Sequence, residues 1–369
     1  MIKTLHIQNF RSLRNVRLEE LQPVNLFIGA NNSGKSNVLK AIEFASYLAC
    51  LARAEVCRML QMLSQKYRNA DIEDKDTDYK EFLEYFSEFF FDPSLPLIAE
   101  FSFVPNDSFN FNIPCDENII SLKPIFQQNI IGGNAKIFNH LIFPIYSVDI
   151  NQIRKPALIF GDDVSVDNTA SNLILCLSNI RNEFVDIYEQ IERDVRNCVP
   201  EFKSFLFKSV KPRNSQDKNL YLKIGYLDIY EKKYWSDSIS DGILYFIALI
   251  CIINQPKPPK ILMLEEIEKG IHPRRIKETL DYIFSLAENK EIQIFMTSHS
   301  RDVVDNFKDY PESVFIFDKE NGETKIKNLQ TYINETNEKR KKSGRNLLHL
   351  DGSLGDHWSS GVIGGIPNE

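Results

Sequence analysis

Residues Gly29-Ala30-Asn31-Asn32-Ser33-Gly34-Lys35-Ser36 fit the pattern G-x-x-x-x-G-K-[ST]. That spacing suits a bound polyphosphate. Backbone N–H groups wrap the phosphates, and glycine at both ends tolerates the dihedrals and the close approach this requires. Lys35 can set its ammonium against the β- and γ-phosphates, and Ser36 can ligate Mg²⁺. A helix starting here adds its N-terminal N–H groups and the positive end of its dipole. The expected nucleotide contacts are Gly29, Asn31, Asn32, Ser33, Gly34, Lys35, Ser36 and Asn37. A second cluster, Glu265-Glu266-Ile267-Glu268, follows the apolar run ILML of Ile261 to Leu264. Carboxylates at the end of an apolar strand complement such a loop. One holds Mg²⁺, usually through its water, and the next polarises the attacking water. Glu265 is expected on the metal side, a position more often Asp, and Glu266 as the general base. Glu268 fits an accessory acidic position.

These residues need particular elements around them. Val24 to Ile28, between Pro23 and Gly29, reads as a buried strand, and NVLKAIEFASYLACLARAEV after Ser36 as a helix. Strand, loop and helix thus follow in the order the loop demands. Ile261–Leu264 and Ile292–Met296 read as two more buried strands with the helix HPRRIKETLDYIFSLAE between them, a β-α-β unit. Ile2, Leu5 and Ile7 open an amino-terminal strand. The stretch 71–84, DIEDKDTDYKEFLE, reads as an acidic, solvated helical insertion within 57–96. Short β-rich runs from Leu97 to Ile150 point to antiparallel sheet. A helical pattern runs from about Asn168 to Val210, NLYLKIGYLDIY reads as a strand, and 336–346, TNEKRKKSGRN, reads as a basic polar linker.

Composition sets the outer limits. The chain has 369 residues, 43% apolar and 26% charged. That is enough for a real core and about two or three sub-structures, and it excludes general disorder. Lys plus Arg is 44 against 51 for Asp plus Glu, a net charge of −7. The balance disfavours a bulk basic scaffold for nucleic acid but leaves room for a local basic groove. The longest apolar run, Ile243 to Ile253, has eleven residues, short of the roughly 18–20 a bilayer crossing needs. The amino terminus mixes charged and apolar residues, unlike a secretory signal. The six cysteines lack C-x-x-C spacing, so reduced thiols in the cytoplasm are expected rather than a zinc site.

Ile239-Ser240-Asp241-Gly242 stands ahead of ILYFIALICII and upstream of ILMLEE. In that order the chain resembles the ABC-type ATPases, specifically the group of RecF, SMC-like and OLD (overcoming lysogenisation defect) proteins, whose signature loop is commonly Leu-Ser-x-Gly. A serine hydroxyl and glycine amides at a helix N-terminus make an anion site. By the resemblance, Ser240, Asp241 and Gly242 cap the γ-phosphate of ATP held on a partner's phosphate loop, so that ATP lies between two chains of a two-fold dimer. Gly270-Ile271-His272-Pro273 resembles the G-[LI]-H-P that follows the paired acids in this group. His272 is then an interface residue or a polar residue ahead of a first-turn proline. His299, just beyond the strand in IQIFMTSHS, matches the family's switch histidine, which senses the γ-phosphate. IKTLHIQNFRSLRNVRL resembles the family's opening I-x-N-F-[RK]-S segment, with Arg11 reaching toward the nucleotide. Gln127, Gln128 and Gln152 are all candidates for its Gln-bearing loop.

The resemblance implies an α/β fold of the P-loop NTPase type, an ABC-type ATPase head with a mixed sheet, an antiparallel β lobe and a helical lobe. Residues 1–160 would form the N-terminal ATPase lobe, 161–238 the helical lobe, 239–335 the C-terminal ATPase core, and 336–369 a basic linker and tail. The implied reaction is hydrolysis of ATP with Mg²⁺, with Glu266 and His299 catalytic and Ser36 and Glu265 on the metal. The sequence holds no long heptad run or C-x-x-C hook, no carboxylate-rich nuclease half and no membrane domain, which disfavours SMC clamps, OLD nucleases and transporters. The tail, with LGDHWSSGVIGGIP, resembles the ending of stand-alone OLD-like ATPases encoded beside a nuclease. It is either a disordered glycine-rich end or, if ordered, carries Trp358 as an interface anchor. Two functions follow from the resemblance. One is a homodimeric or larger ATP switch governing a separate effector, a nuclease in bacterial anti-phage defence. The other is a RecF-like ATPase of DNA repair, with Arg274, Arg275 and Lys277 lining a DNA groove.

Overall fold

The computed structural model describes residues 1–50, 97–103, 107–113, 143–211, 219–269, 271–348, 350 and 352–365. The expected insertion at 57–96, Gln127, Gln128 and Gly270 lie outside the described residues. Two compact units are present, Met1–Phe143 with Ile292–Glu369, and Pro144–Glu291. The first unit opens with β1 (Ile2–Phe10), β2 (Leu13–Leu18), β3 (Val24–Gly29), α1 (Lys35–Cys50), β4 (Leu97–Phe103) and β5 (Asp107–Ile113). The second unit follows with β6 (Ile145–Tyr146), α2 (Ile150–Arg154), β7 (Ala157–Leu158), α3 (Leu173–Glu183), α4 (Val185–Cys198), β8 (Phe202–Val210), β9 (Tyr221–Asp228), β10 (Lys233–Trp235), α5 (Asp241–Asn254), β11 (Ile261–Leu264) and α6 (Pro273–Lys290). The chain then returns to the first unit as β12 (Gln293–Ser298), α7 (Arg301–Asp305), β13 (Val314–Glu320), β14 (Glu323–Asn328), α8 (Leu329–Lys342) and α9 (Leu354–Ser359).

In the first unit β3 lies between β12 and β13 and runs parallel to both, with Leu26 opposite Met296 and Ile28 opposite Ile316. Every residue of β3 and β12 is buried, as near-continuous apolar runs of parallel strands require. Phe27 anchors this layer against Phe295, Phe315 and Phe317, with ring centres 5.9, 5.8 and 5.0 Å away. β14 closes one edge as an antiparallel hairpin partner of β13. A separate antiparallel sheet has the order β2-β1-β4-β5. The buried Gln293 side chain ties the start of β12 to the start of β1. It accepts from Ile2 N (2.7 Å) and donates to Ile2 O (2.8 Å) and Gln22 O (3.1 Å), so the buried amide is satisfied.

In the second unit β7, β8 and β10 pair antiparallel with β9, and β6 and β11 pair in parallel. Helix α5 is apolar on all sides and buried from Leu244 to Asn254, the signature of a core helix. It accounts for the long apolar run. No helix among the described residues is long and apolar enough to cross a membrane.

Three expectations need correction. Residues 202–210 form strand β8, not helix. Pro200 cannot continue α4, and aromatic residues in FKSFLFKSV favour a strand laid along β9. The 336–346 segment is helical through Lys342 rather than a linker. Asn328 caps α8 by accepting from Gln330 N (3.0 Å) and Thr331 N (3.3 Å). Glu, Lys and Arg are good helix formers and basic residues suit a last turn, so α8 runs almost to Gly344, at φ +66°. Residues 352–365 of the tail are folded against the first unit, and Trp358 on α9 is only 7% exposed, packed into its own unit and not standing out as an interface anchor.

Candidate functional site

The phosphate-loop sequence lies between β3 and α1. Gly29 has φ +151°, and a Cβ there would overlap the backbone oxygen of Phe317 on β13. Gly34 has φ +107°, and its Cβ would overlap Thr324 Oγ1 on β14. Both glycines are therefore backbone requirements. Asn32 also adopts a left-handed conformation, at φ +63°, which Asn tolerates better than most residues. Lys35 is 5% exposed, and its Nζ donates to Gly29 O and Ala30 O, each at 2.8 Å. Asn31 and Asn32 are exposed, and Ser36 and Asn37 are half-buried. The Ser33 hydroxyl is buried and finds no hydrogen-bond partner among the described residues.

Two residues outside the motif brace this loop. Thr324 Oγ1 donates to Ser33 O (2.9 Å) and bonds Ser12 Oγ (2.7 Å), and Asn37 Nδ2 donates to Ser12 Oγ (2.8 Å). Ser12 belongs to the NFRS segment in the β1–β2 turn, so its neighbourhood carried a sequence signal. Thr324 is one threonine in a polar strand and carried none. Arg11 lies with its guanidinium carbon 6.0 Å from the Phe10 ring centre. His299 directly follows β12, whose last residue Ser298 pairs with Ile28, so it leaves the sheet at the same C-terminal strand end from which the phosphate loop starts. Ligand crevices form at such strand ends in open α/β sheets.

The second unit carries the acids and the signature. Glu265 N donates to Tyr146 O (2.9 Å), extending the β6–β11 pairing. Glu266 has φ +50°, a left-handed backbone that glutamate seldom adopts and that clusters at functional sites. Its Oε2 lies 3.2 Å from Lys269 Nζ. Burial, and then the nearby Glu268 charge, push the Tyr245 hydroxyl pKa up. Ser240 caps α5, accepting from Ile243 N at 3.4 Å. Ser240 and Asp241 are exposed and Gly242 is buried.

Arg154, at the end of α2, fastens this signature segment. Its guanidinium donates to Ser236 O, to Ile239 O (2.8 Å) and to the Asp241 carboxylate, while Ser236 Oγ donates back to Arg154 O (3.1 Å). A lone arginine far upstream of the motif gave no sequence signal. Gln152, the described candidate for the Gln-bearing loop, sits on α2 and accepts from Lys155 Nζ at 3.2 Å. His272 caps α6, its Nδ1 accepting from Arg274 N (3.3 Å) ahead of Pro273, and its side chain is exposed.

Residues 142–305 match the family model "AAA domain, putative AbiEii toxin, Type IV TA system", and residues 4–84 match a second AAA-domain model. The chain is 23% identical over 337 residues to an ATP/GTP phosphatase of Helicobacter pylori, covering 83% of this chain and 87% of that protein. It is also 23% identical over 358 residues to the DNA replication and repair protein RecF of Rickettsia typhi, covering 83% and 96%. Among solved structures, the Smc head bound to the C-terminal winged-helix domain of ScpA shares the fold, with TM-score 0.53, 17% identity and coverage of 88% and 96%. AAA-domain matches toward both ends of the chain and two relatives aligned over most of their length, on a fold shared with the Smc head, support an ABC-type ATPase of the RecF/SMC group and, with it, binding and hydrolysis of ATP.

Proposed function

We propose that the chain is an ATP-driven dimeric switch in which each ATP lies between the phosphate loop of one copy and the Ser240 signature of another. The observation that carries this reading is α5. Its body is buried, yet its N-terminus at Ser240 and Asp241 is exposed and held in shape by Arg154. Such a terminus meets an anion arriving from outside. In this scheme the backbone of Gly29–Ser36 wraps the phosphates and Lys35 balances the charge that grows on the γ-phosphate. Glu266 orients the attacking water and takes its proton, and His299 contacts the γ-phosphate. ADP and phosphate leave, and the two copies part.

The oxygen donors Ser36 and Glu265 suit Mg²⁺, which binds through one or two protein oxygens plus substrate phosphates. Among the described residues no cluster of His, Cys, Asp and Glu could hold a metal ion by itself, in keeping with an ion that arrives with its nucleotide. When bound, Mg²⁺ would polarise the phosphates. The test is Glu266→Gln. It should bind ATP, lose turnover by about 10²–10⁴-fold and accumulate an ATP-dependent dimer in light scattering. Unchanged turnover would remove Glu266 from the role of base.

The ATP state of the dimer governs a separate effector, a nuclease of an anti-phage system. Two things support this extension. The family model over 142–305 is described by a toxin system, and the Smc head was solved with a separate protein bound. A chain that stays alone and cuts DNA unaided would refute it. Clustered charge favours the RecF-like reading as an alternative. Arg274 and Lys277 are exposed on α6, and α8 ends in Lys339, Arg340, Lys341 and Lys342. DNA binding that is ATP-stimulated and salt-sensitive supports that alternative, and no binding at low salt eliminates it.

A further inference from the structure

Residues 353–365 touch the first unit at two places that flank its chemistry. At one end Ser353 Oγ donates to Asp305 Oδ2 (3.0 Å) and Gly355 N donates to Asp305 Oδ1 (2.8 Å). A Cβ on Gly355 would stand 2.6 Å from Arg301 O, so the segment lies directly on α7, the helix that starts two residues after His299. At the other end Gly365 N donates to Asp318 Oδ1 (2.9 Å) on β13. Gly365 has φ +76°, and a Cβ there would stand 2.9 Å from Ile316 Cγ2, 3.1 Å from Trp358 Nε1 and 3.4 Å from Gly29 Cα. Residue 365 therefore rests against the first residue of the phosphate loop. Between the two ends, Leu354, Trp358 and Ile363 are buried, and Tyr332 on α8 donates to Val362 O at 2.9 Å.

We propose that residues 353–365 form a clasp that fixes the phosphate loop relative to the His299 turn, with Asp318 and Asp305 as its positioning residues. The proposal rests on the reading of Gly29–Ser36 as the nucleotide loop and of His299 as the residue facing the γ-phosphate. The physical basis is geometric. Gly29 is confined on one side by Phe317 O and on another by Gly365. The start of the loop cannot shift without moving residue 365, and α9 carries that movement to α7. Burial raises the Asp318 carboxyl pKa, a cost the fold accepts at the point where the segment is tied down. Coupling of this kind is reciprocal. ATP on the loop should slow amide exchange across 353–365, and loosening the segment should weaken ATP binding.

The test uses the full chain and direct titration with ATP. Asp318→Ala should weaken ATP binding by about fivefold or more, with Tm in the absence of nucleotide almost unchanged, and Gly365→Ala, strained at φ +76°, should weaken it by more than its lowered Tm accounts for. Asp318→Asn keeps an acceptor oxygen for Gly365 N and should restore parental binding. Asp305→Ala should lower kcat while KM moves little, because its end of the clasp adjoins the His299 turn. Lys35→Ala, titrated beside them, separates the two readings. Parental ATP binding by Lys35→Ala would overturn the loop assignment. Lost binding in Lys35→Ala with parental binding in Gly365→Ala would overturn the clasp alone. Asp318→Asn as weak as Asp318→Ala, or binding losses that merely track lost Tm, would also overturn the clasp.

Discussion

Arg154→Ala removes one guanidinium and leaves three acceptors without it: Ser236 O, Ile239 O and the Asp241 carboxylate. The ion pair with Asp241 is discounted first. Its side chains are 26% and 54% exposed, which limits it to about 1 kcal/mol or less. The two carbonyls are partly buried and accept from a charged donor, so each contributes about 1 kcal/mol net. Together this is about 2–3 kcal/mol, felt by the 236–241 segment that sets the start of α5. If that order is needed to clamp the γ-phosphate, kcat/KM for ATP should fall by about 30–150-fold, at 1.36 kcal/mol per factor of ten. Phosphate release measured over a range of ATP concentrations reads this directly. ADP lacks the γ-phosphate, so ADP binding should stay within about twofold of parental. Arg154→Lys should recover little, because a point charge cannot span the three acceptors of a planar fork. Parental kcat/KM in Arg154→Ala, or an equal loss of ADP binding, would refute the reasoning.

Other perturbations probe the loop and the fold. Gly34→Ala places a Cβ onto Thr324 Oγ1 at φ +107°. It should cost about 1–3 kcal/mol in backbone strain alone and weaken ATP binding tenfold or more in a calorimetric titration. Thr324→Val keeps the shape but leaves Ser33 O and Ser12 Oγ without the hydroxyl. It should raise KM about fivefold, from about 1 kcal/mol per hydrogen bond, with Thr324→Ser close to parental in the same steady-state assay. Asp167 is partly desolvated, which raises its pKa, but bonds from Ser171 and Thr169 outweigh this and hold it below the usual carboxylate value. A folded pKa below the unfolded one gives stability that is present above the unfolded pKa and is lost as pH falls through the folded pKa. Asp167→Asn should therefore lower Tm at neutral pH, and the gap should close below about pH 4; a gap independent of pH would contradict the assignment.

The parts legible in the sequence are those whose local conformation a ligand or a core dictates. Gly29, Asn32 and Gly34 occupy φ values that few residue types accept, so the loop shows as a pattern. VNLFIG and ILML are buried throughout and show as apolar runs. Ser240 caps a helix that has no polar face, which makes its start conspicuous. The remainder works through tertiary contact. Thr324, Arg154, Asp305 and Asp318 are ordinary residues whose partners lie 47 to 312 positions away. Only folding brings them to the loop, the signature and the clasp. Strand β8 was hidden because lysines and serines interrupt its alternation, and its pairing with β9 decided the outcome. Helix α8 was hidden because its charges resemble a linker until the Asn328 cap and the hairpin before it are seen.

The central claim is that ATP is hydrolysed at a site shared by two copies, and mixing tests it most directly. Lys35→Ala disables the phosphate loop and Ser240→Arg disables the signature, so each protein alone should be nearly inactive. After subunit exchange at equal concentrations, about half the dimers contain one of each, and each mixed dimer assembles one complete site out of two. The account predicts recovery of about a quarter of parental ATPase activity. A mixture that never exceeds the sum of its two components, or a Ser240→Arg protein that hydrolyses ATP at the parental rate, would contradict it.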